Sequence, residues 1–135
     1  MSGGHFPVLW IGQVAVVTLP AEIDVTNSDT VRDELLAALN QSAILLIADM
    51  SKTNFCDSSG VSAMVRVFRQ AVAGGSAMRL VVSTPGVQRV LSITGVDRVM
   101  EVFPGVAASL TGPFGQPDQV QPDSAIATAD ADGGA

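Results

Sequence analysis

The chain has 135 residues, 47% of them hydrophobic and 15% charged, which suits one ordinary domain with a real core. A formal net charge of −6 and only 4% aromatic residues exclude the basic, aromatic-rich surface that nucleic acid requires. One cysteine, Cys56, excludes an intramolecular disulfide and a cysteine-rich metal site, and no apolar run approaches the ~20 residues that span a bilayer. No basic lead precedes an apolar N-terminal run as in a signal peptide, so a cytoplasmic chain with no membrane contact, metal or cofactor is expected.

In chain order, Phe6 to Ile11 and Val14 to Leu19 read as two strands joined by Gly12-Gln13, a Gly-first pair suited to a type II′ turn. Pro20-Ala21-Glu22 ends the second strand. A loop through Asp24 reaches Thr26-Asn27, expected caps of a helix whose apolar positions are Val31, Leu35 and Leu39. Asn40-Gln41-Ser42 closes that helix. Ile44-Leu45-Leu46-Ile47-Ala48 is a continuous apolar run, the mark of a central parallel strand covered on both faces.

A second helix is expected from Ser58 to Ala73, ended by Gly74-Gly75, with Met78 to Val82 as the next strand. Pro85-Gly86 opens a short helix carrying Val87, Val90 and Leu91, which Thr94-Gly95 ends. Val99 to Val102 reads as a short last strand, and Pro104 begins a final helix to about Leu110. After the hairpin, strands and helices alternate, which implies parallel pairing through crossovers. Residues 1–110 form the expected domain. From Thr111 onward four acids, no Lys or Arg, and abundant Pro, Gly and Ala predict a disordered acidic tail over 111–135.

Asp57-Ser58-Ser59-Gly60 falls where the buried strand hands over to the second helix. Free backbone N–H groups and the helix dipole favour added negative charge there, so the two hydroxyls mark an address for a phosphate, bound or covalently attached. Asp57 is the natural N-cap. Taking Val61, Met64, Val65, Phe68 and Val72 as the apolar stripe, Ser58 lies roughly 60° from its centre and Ser59 roughly 160° away. Ser58 is therefore expected to lean inward. Ser59 is expected to face water beside Ser62, Ala63, Arg66 and Gln70, where small neighbours let another protein approach. A capped helix start alone would explain Asp and Ser here. It does not explain Gly60, which costs ~1 kcal/mol of helix propensity relative to Ala.

Three stretches in order, Glu22-Ile23-Asp24-Val25-Thr26-Asn27, Phe55-Cys56-Asp57-Ser58-Ser59-Gly60 and Leu91-Ser92-Ile93-Thr94-Gly95-Val96-Asp97-Arg98-Val99, resemble the STAS domain. More narrowly, they resemble the bacterial anti-sigma factor antagonists, over about residues 6–110. The resemblance implies an α/β fold, a mixed sheet of about five strands with helices packed on one side. It also implies that Ser59, or less favourably Ser58, is phosphorylated by an anti-sigma factor that is itself a serine kinase. The unmodified protein would bind that anti-sigma factor and free its sigma factor. Phosphorylation would end the binding and a serine phosphatase would restore it, placing the chain in transcription regulation such as a stress response. Two positions depart from the family pattern. Ala21 stands where many members have Gly, and Cys56 replaces an apolar residue, so it reads as a small core hydrophobe.

For partner contact the reading selects Asp24, Asn27, Asp57, Ser58, Ser62, Ala63 and Arg66. Asp57 could cap the helix or orient Ser59, and Asp24 and Asn27 could cap the first helix instead. An enzyme is not expected. The sole histidine, His5, lies near the N-terminus and no Gly-x-Ser-x-Gly elbow surrounds either serine. No Gly-rich loop followed by Lys supports nucleotide binding. A ligand-sensing or scaffolding STAS module without phospho-switching remains the competing role.

Overall fold

Alternating apolar strands and amphipathic helices assemble, in a computed structural model that describes residues 6–112, into a mixed five-stranded sheet flanked by helices. His5 and the tail from Pro113, with its expected disorder, lie outside the described residues. Strand β1 (Val8–Ile11) pairs antiparallel with β2 (Val14–Thr18) across the Gly12-Gln13 turn. Gly12 takes φ +60° and Gln13 is not left-handed, which fits the Gly-first type II′ expectation. The strand is shorter than the sequence suggested because the Phe6 backbone N–H is drawn off to Glu34.

Next come β3 (Glu22–Ile23), α1 (Ser28–Leu39), β4 (Leu45–Met50), β5 (Phe55–Cys56), α2 (Ser58–Ala73), β6 (Ala77–Val82), α3 (Pro85–Thr94), β7 (Glu101–Phe103) and α4 (Val106–Ser109). The main sheet runs β1-β2-β4-β6-β7, parallel except for β1. All six residues of β4 are buried, as its continuous apolar run requires. Alternate residues split into two cores. Leu46, Ala48, Met50, Leu80 and Val82 meet α1, α2 and α3, whereas Leu45, Ile47 and Val81 meet Val106 and Leu110 of the C-terminal segment. The three long helices thus share one face, and α4 lies on the other.

Three further elements differ from the sequence reading: the final helix is a single turn, Val106–Ser109, with Gly105 and not Pro104 at its start, and the other two lie at β7 and β3. The last strand begins at Glu101, not Val99, because Gly95 in the left-handed region (φ +81°) is followed by a 3₁₀ turn, Val96–Arg98. That turn buries Val96 and Met100 in the core. The pairing of β3 with β5 was not anticipated, being only two residues per strand. On the α4 side, Arg79 is buried yet satisfied. Its guanidinium donates to Glu101 Oε1 (2.9 Å) and to the carbonyls of Ser109 (2.6 Å) and Thr111 (2.9 Å), and stacks over Phe103. A buried cation is tolerable only with such partners, and here they tie the chain after β7 to the sheet.

Candidate functional site at the first turn of helix α2

The small β3–β5 sheet sets the site. Parallel pairing of Glu22 with Phe55 and Ile23 with Cys56 brings Asp24 and Val25 alongside Asp57, and Asp57 N–H donates to the Ile23 carbonyl (3.1 Å). The two loops that carry the motifs therefore lie side by side.

Asp57 caps α2. Its Oδ1 accepts from the backbone N–H groups of Ser59 (2.9 Å) and Gly60 (3.3 Å) and from the Ser59 hydroxyl (2.5 Å). The Ser59 hydroxyl above all, and then these backbone donors with that of Val25, hold the Asp57 carboxyl below its ordinary 3.8. Asp57 is thus ionised at neutral pH, both capping the helix and fixing the Ser59 hydroxyl. Of the two roles left open by the sequence, this is the helix cap.

Cys56 is buried beneath this turn. Burial first, and then the Asp57 charge, push its thiol up to about 11, so it stays protonated and unreactive. Gly60 rests directly on it. A Cβ at Gly60 would lie 2.6 Å from Cys56 Sγ and 2.7 Å from Ile23 Cγ2. The glycine is there for close approach of the helix to the β3–β5 layer, a reason the sequence did not show.

The orientation of the two serines corrects the helical-wheel expectation. Ser58 is exposed and Ser59 is half-buried, whereas the wheel had turned Ser58 inward. Ala63, expected on the open side, is only 5% exposed, and Val72, expected inside, is 44% exposed. The buried face of α2 consists of Gly60, Val61, Ala63, Met64, Val67 and Ala71. Its centre is roughly 85° from the stripe inferred from the largest side chains. The physical reason is neighbouring α1, which packs along α2 and needs small residues at the contact.

Ser59 consequently faces an open cleft of about 330 Å³ between the first turns of the two helices. One wall carries Val25, Ser28, Asp29 and Arg32, and the other carries Ser59, Ser62, Ala63 and Arg66. Arg32 is held by Asp29 (3.3 Å) and Asp33 (3.1 Å), while Arg66 makes no ion pair among the described residues.

Of the residues selected from sequence, Asp57, Ser59, Ser62, Ala63 and Arg66 therefore come together. Ser58 points away from the cleft. Asn27 stands at the N-cap position of α1, as expected, but neither it nor Asp24 makes a side-chain capping bond to the helix. Asp24 Oδ1 accepts from the Thr26 backbone and hydroxyl, and Asn27 bridges the Glu22 carbonyl (2.8 Å) and the Asp24 N–H (2.9 Å). Both side chains staple the β3–α1 loop that forms one lip of the site. Val25, Ser28, Asp29 and Arg32 were missed, since the β3–β5 pairing and the packing of α1 along α2 bring them opposite Ser59. Exposed Val25 (76%) and Phe55 (50%) add apolar surface beside the loop.

Residues 7–109 match the STAS domain family, and the chain belongs to it. Among solved structures, the fold is similar to a putative anti-sigma factor antagonist from Thermotoga maritima, with TM-score 0.70 and 21% identity over 77% of this chain and 90% of that one. It is equally similar to an anti-sigma factor antagonist from Mycobacterium paratuberculosis, with TM-score 0.70 and 21% identity over 81% and 94% of the two chains. A sulfate transporter family protein from Wolinella succinogenes shares the fold too, with TM-score 0.67 and 14% identity over 76% and 85%. The architecture thus serves more than one kind of protein, and no described helix is long and apolar enough to cross a membrane.

Proposed function

We propose that this protein is an anti-sigma factor antagonist whose docking surface is the α2 first turn with the adjoining β3–α1 loop, switched by phosphorylation of Ser59. The observation that carries the reading is the Ser59 hydroxyl itself. It sits on an open cleft at the N-terminus of a 16-residue helix, held by an ionised cap. A serine kinase can reach it there without unfolding anything.

In the transfer, Ser59 Oγ would form a bond to the γ-phosphorus of ATP as the bond to the ADP oxygen breaks, and the hydroxyl proton would be lost. The change at the surface is then large. A donor to Asp57 is replaced by roughly −1.5 to −2 of added charge beside that carboxylate. Within the molecule the phosphate gains the α2 dipole, worth ~0.3–1 kcal/mol, and has Arg66 on the same helix face. Across a docked interface it would be stripped of water and set against an acidic neighbour. Binding is lost while the fold persists. Val25 and Phe55, exposed and apolar on either side of Asp57, would supply the desolvated anchors of the unmodified interface.

The partner required is an anti-sigma factor with serine kinase activity, and a serine phosphatase would reset the switch. A cytoplasmic setting fits both. The experiment is incubation with a candidate anti-sigma kinase and ATP, peptide mapping, and binding titration. One peptide heavier by about 80 Da, assigned to Ser59, is expected. Ser59→Ala should bind constitutively, and Ser59→Glu at least about tenfold more weakly, equivalent to ~1.4 kcal/mol. Equal binding by all three forms would leave the scaffolding or ligand-sensing role in its place. Labelling of Ser58 alone would move the site.

A further inference from the structure

Among the described residues, five polar or charged side chains are buried, and the chain itself satisfies four of them. Thr53 Oγ1 donates to the Pro20 carbonyl (2.8 Å) and Ser109 Oγ to the Val106 carbonyl (2.6 Å). Asp49 Oδ1 accepts from the Ser51 N–H (3.0 Å), and the Arg79 guanidinium donates to Glu101, Ser109 and Thr111. Ser28 is the exception. It is only 7% exposed, yet no donor or acceptor among the described residues meets its hydroxyl. Ser28 occupies the first position of α1, past the N-cap Asn27, so the hydroxyl does not cap the helix either. Burying a hydroxyl without a partner is costly, and this one points to a ligand that supplies the missing bond.

Ser28 lines the same cleft of about 330 Å³ that Ser59 faces, on the opposite wall. The rest of the lining is rich in donors. Ser62 and Arg66 stand about one and two turns beyond Ser59 on α2, and neither side chain has a hydrogen-bond or ion-pair partner among the described residues. Arg32 adds a second cation, shared with Asp29 (3.3 Å) and Asp33 (3.1 Å), and it balances Asp29, the carboxylate among the lining residues. No side chain caps the first turn of α1, so the positive end of that 12-residue helix adjoins the cleft with its N–H groups unclaimed by a cap.

We infer that this cleft is a seat for a phosphoryl dianion, held from α1 by the Ser28 hydroxyl and from α2 by Arg66. Three terminal oxygens let such a group accept from both helices at once. It arrives either as the ester of Ser59 or as free phosphate. In the first case the inference rests on the proposed function and deepens it. The modified serine reaches across to α1, so the phosphate fills the docking cleft as well as charging it. The two readings fail separately. Phosphoserine can be installed at position 59 through its codon, with no kinase or anti-sigma factor present. A kinase that spares Ser59 sinks the proposed function and leaves the measurement on the seat standing.

In the full chain with phosphoserine at position 59, amide signals of Ser28, Asp29 and Thr30 on α1 should shift along with those of α2. The second ionisation of the phosphate, followed by phosphorus NMR, should rise by about 0.5 unit in Ser28→Ala and likewise in Arg66→Gln. Each variant removes a donor that favours the dianion. In the unmodified chain, Ser28→Ala should leave the urea midpoint unchanged or raise it, because no bond is lost. Inorganic phosphate at about 10 mM, against chloride at equal ionic strength, tests the free source. Shifts of the same α1 amides that vanish once Ser59 carries phosphate support the seat with a free ligand, and shifts from the ester alone support it with a covalent one. Three results overturn the inference: α1 amides untouched by both sources, a phosphate ionisation insensitive to Ser28→Ala, or a lowered urea midpoint in unmodified Ser28→Ala.

Discussion

Asp57 shows how one carboxylate can cap a helix and hold a neighbouring hydroxyl together. Its position below 3.8 comes first from the Ser59 hydroxyl, so the bond to Ser59 is coupled to the Asp57 titration. A carboxylate with a depressed folded value contributes stability that is full above 3.8 and is lost as pH falls through the depressed value. Ser59→Ala removes the largest cause while leaving the backbone donors. The Asp57 titration followed by carbon NMR should therefore move up toward 3.8 in that variant, and the stability lost on acidification below 3.8 should be smaller and exhausted at higher pH. An unchanged midpoint would mean that the hydroxyl bond contributes nothing in solution.

At the level of elements, the approach of α2 to the β3–β5 pair depends on a missing side chain. Gly60→Ala would gain ~1 kcal/mol of helix propensity, but its methyl would meet Cys56 Sγ and Ile23 Cγ2 below 3.0 Å. Overpacking of that kind costs ~1–3 kcal/mol, so urea unfolding should show a net loss of about 1 kcal/mol. Adding Cys56→Ala removes one of the two obstacles and should restore part of the loss. The same close approach explains why the thiol is inert and why the motif carries glycine where helix propensity argues against it. Packing of α1 on α2 is the matching constraint on the other flank. It turns Ala63 inward and leaves Val72 outside, and so determines which hydroxyl the cleft presents.

For the molecule as a whole, the proposed switch surface lies on a sheet-and-helix frame whose core cluster Ser59 does not enter. The α2 first turn sits at the end of the α1–α2 groove, while β1 forms the far edge of the sheet. The proposed phosphorylation would add charge at a cleft outside the core, so the frame should not respond. Ser59→Glu should keep the native amide spectrum and melt within the shift that ~1 kcal/mol produces, the helix dipole offsetting the lost hydroxyl bond and the added charge beside Asp57. A broad loss of chemical-shift dispersion would show that the modification acts by unfolding.

The buried run of β4, the hairpin turn at Gly12, the Gly74-Gly75 stop and the address at Asp57–Gly60 were legible in the chain because each rests on local chemistry. Apolar period, left-handed glycine and N-capping all act within a few residues. The facing of Ser58 and Ser59 was not legible. A wheel drawn from the largest apolar residues assumes that size marks the buried side, whereas a close helix neighbour selects the smallest. The opposite wall of the cleft, Val25 to Arg32, needed the two-residue pairing of β3 with β5, which is too short to leave a period. Sequence alone determined that a pair of serines opens a helix capped by Asp57 in a STAS-like chain. The tertiary structure decided which hydroxyl meets the cleft and what faces it, because contacts between distant segments set helix rotation.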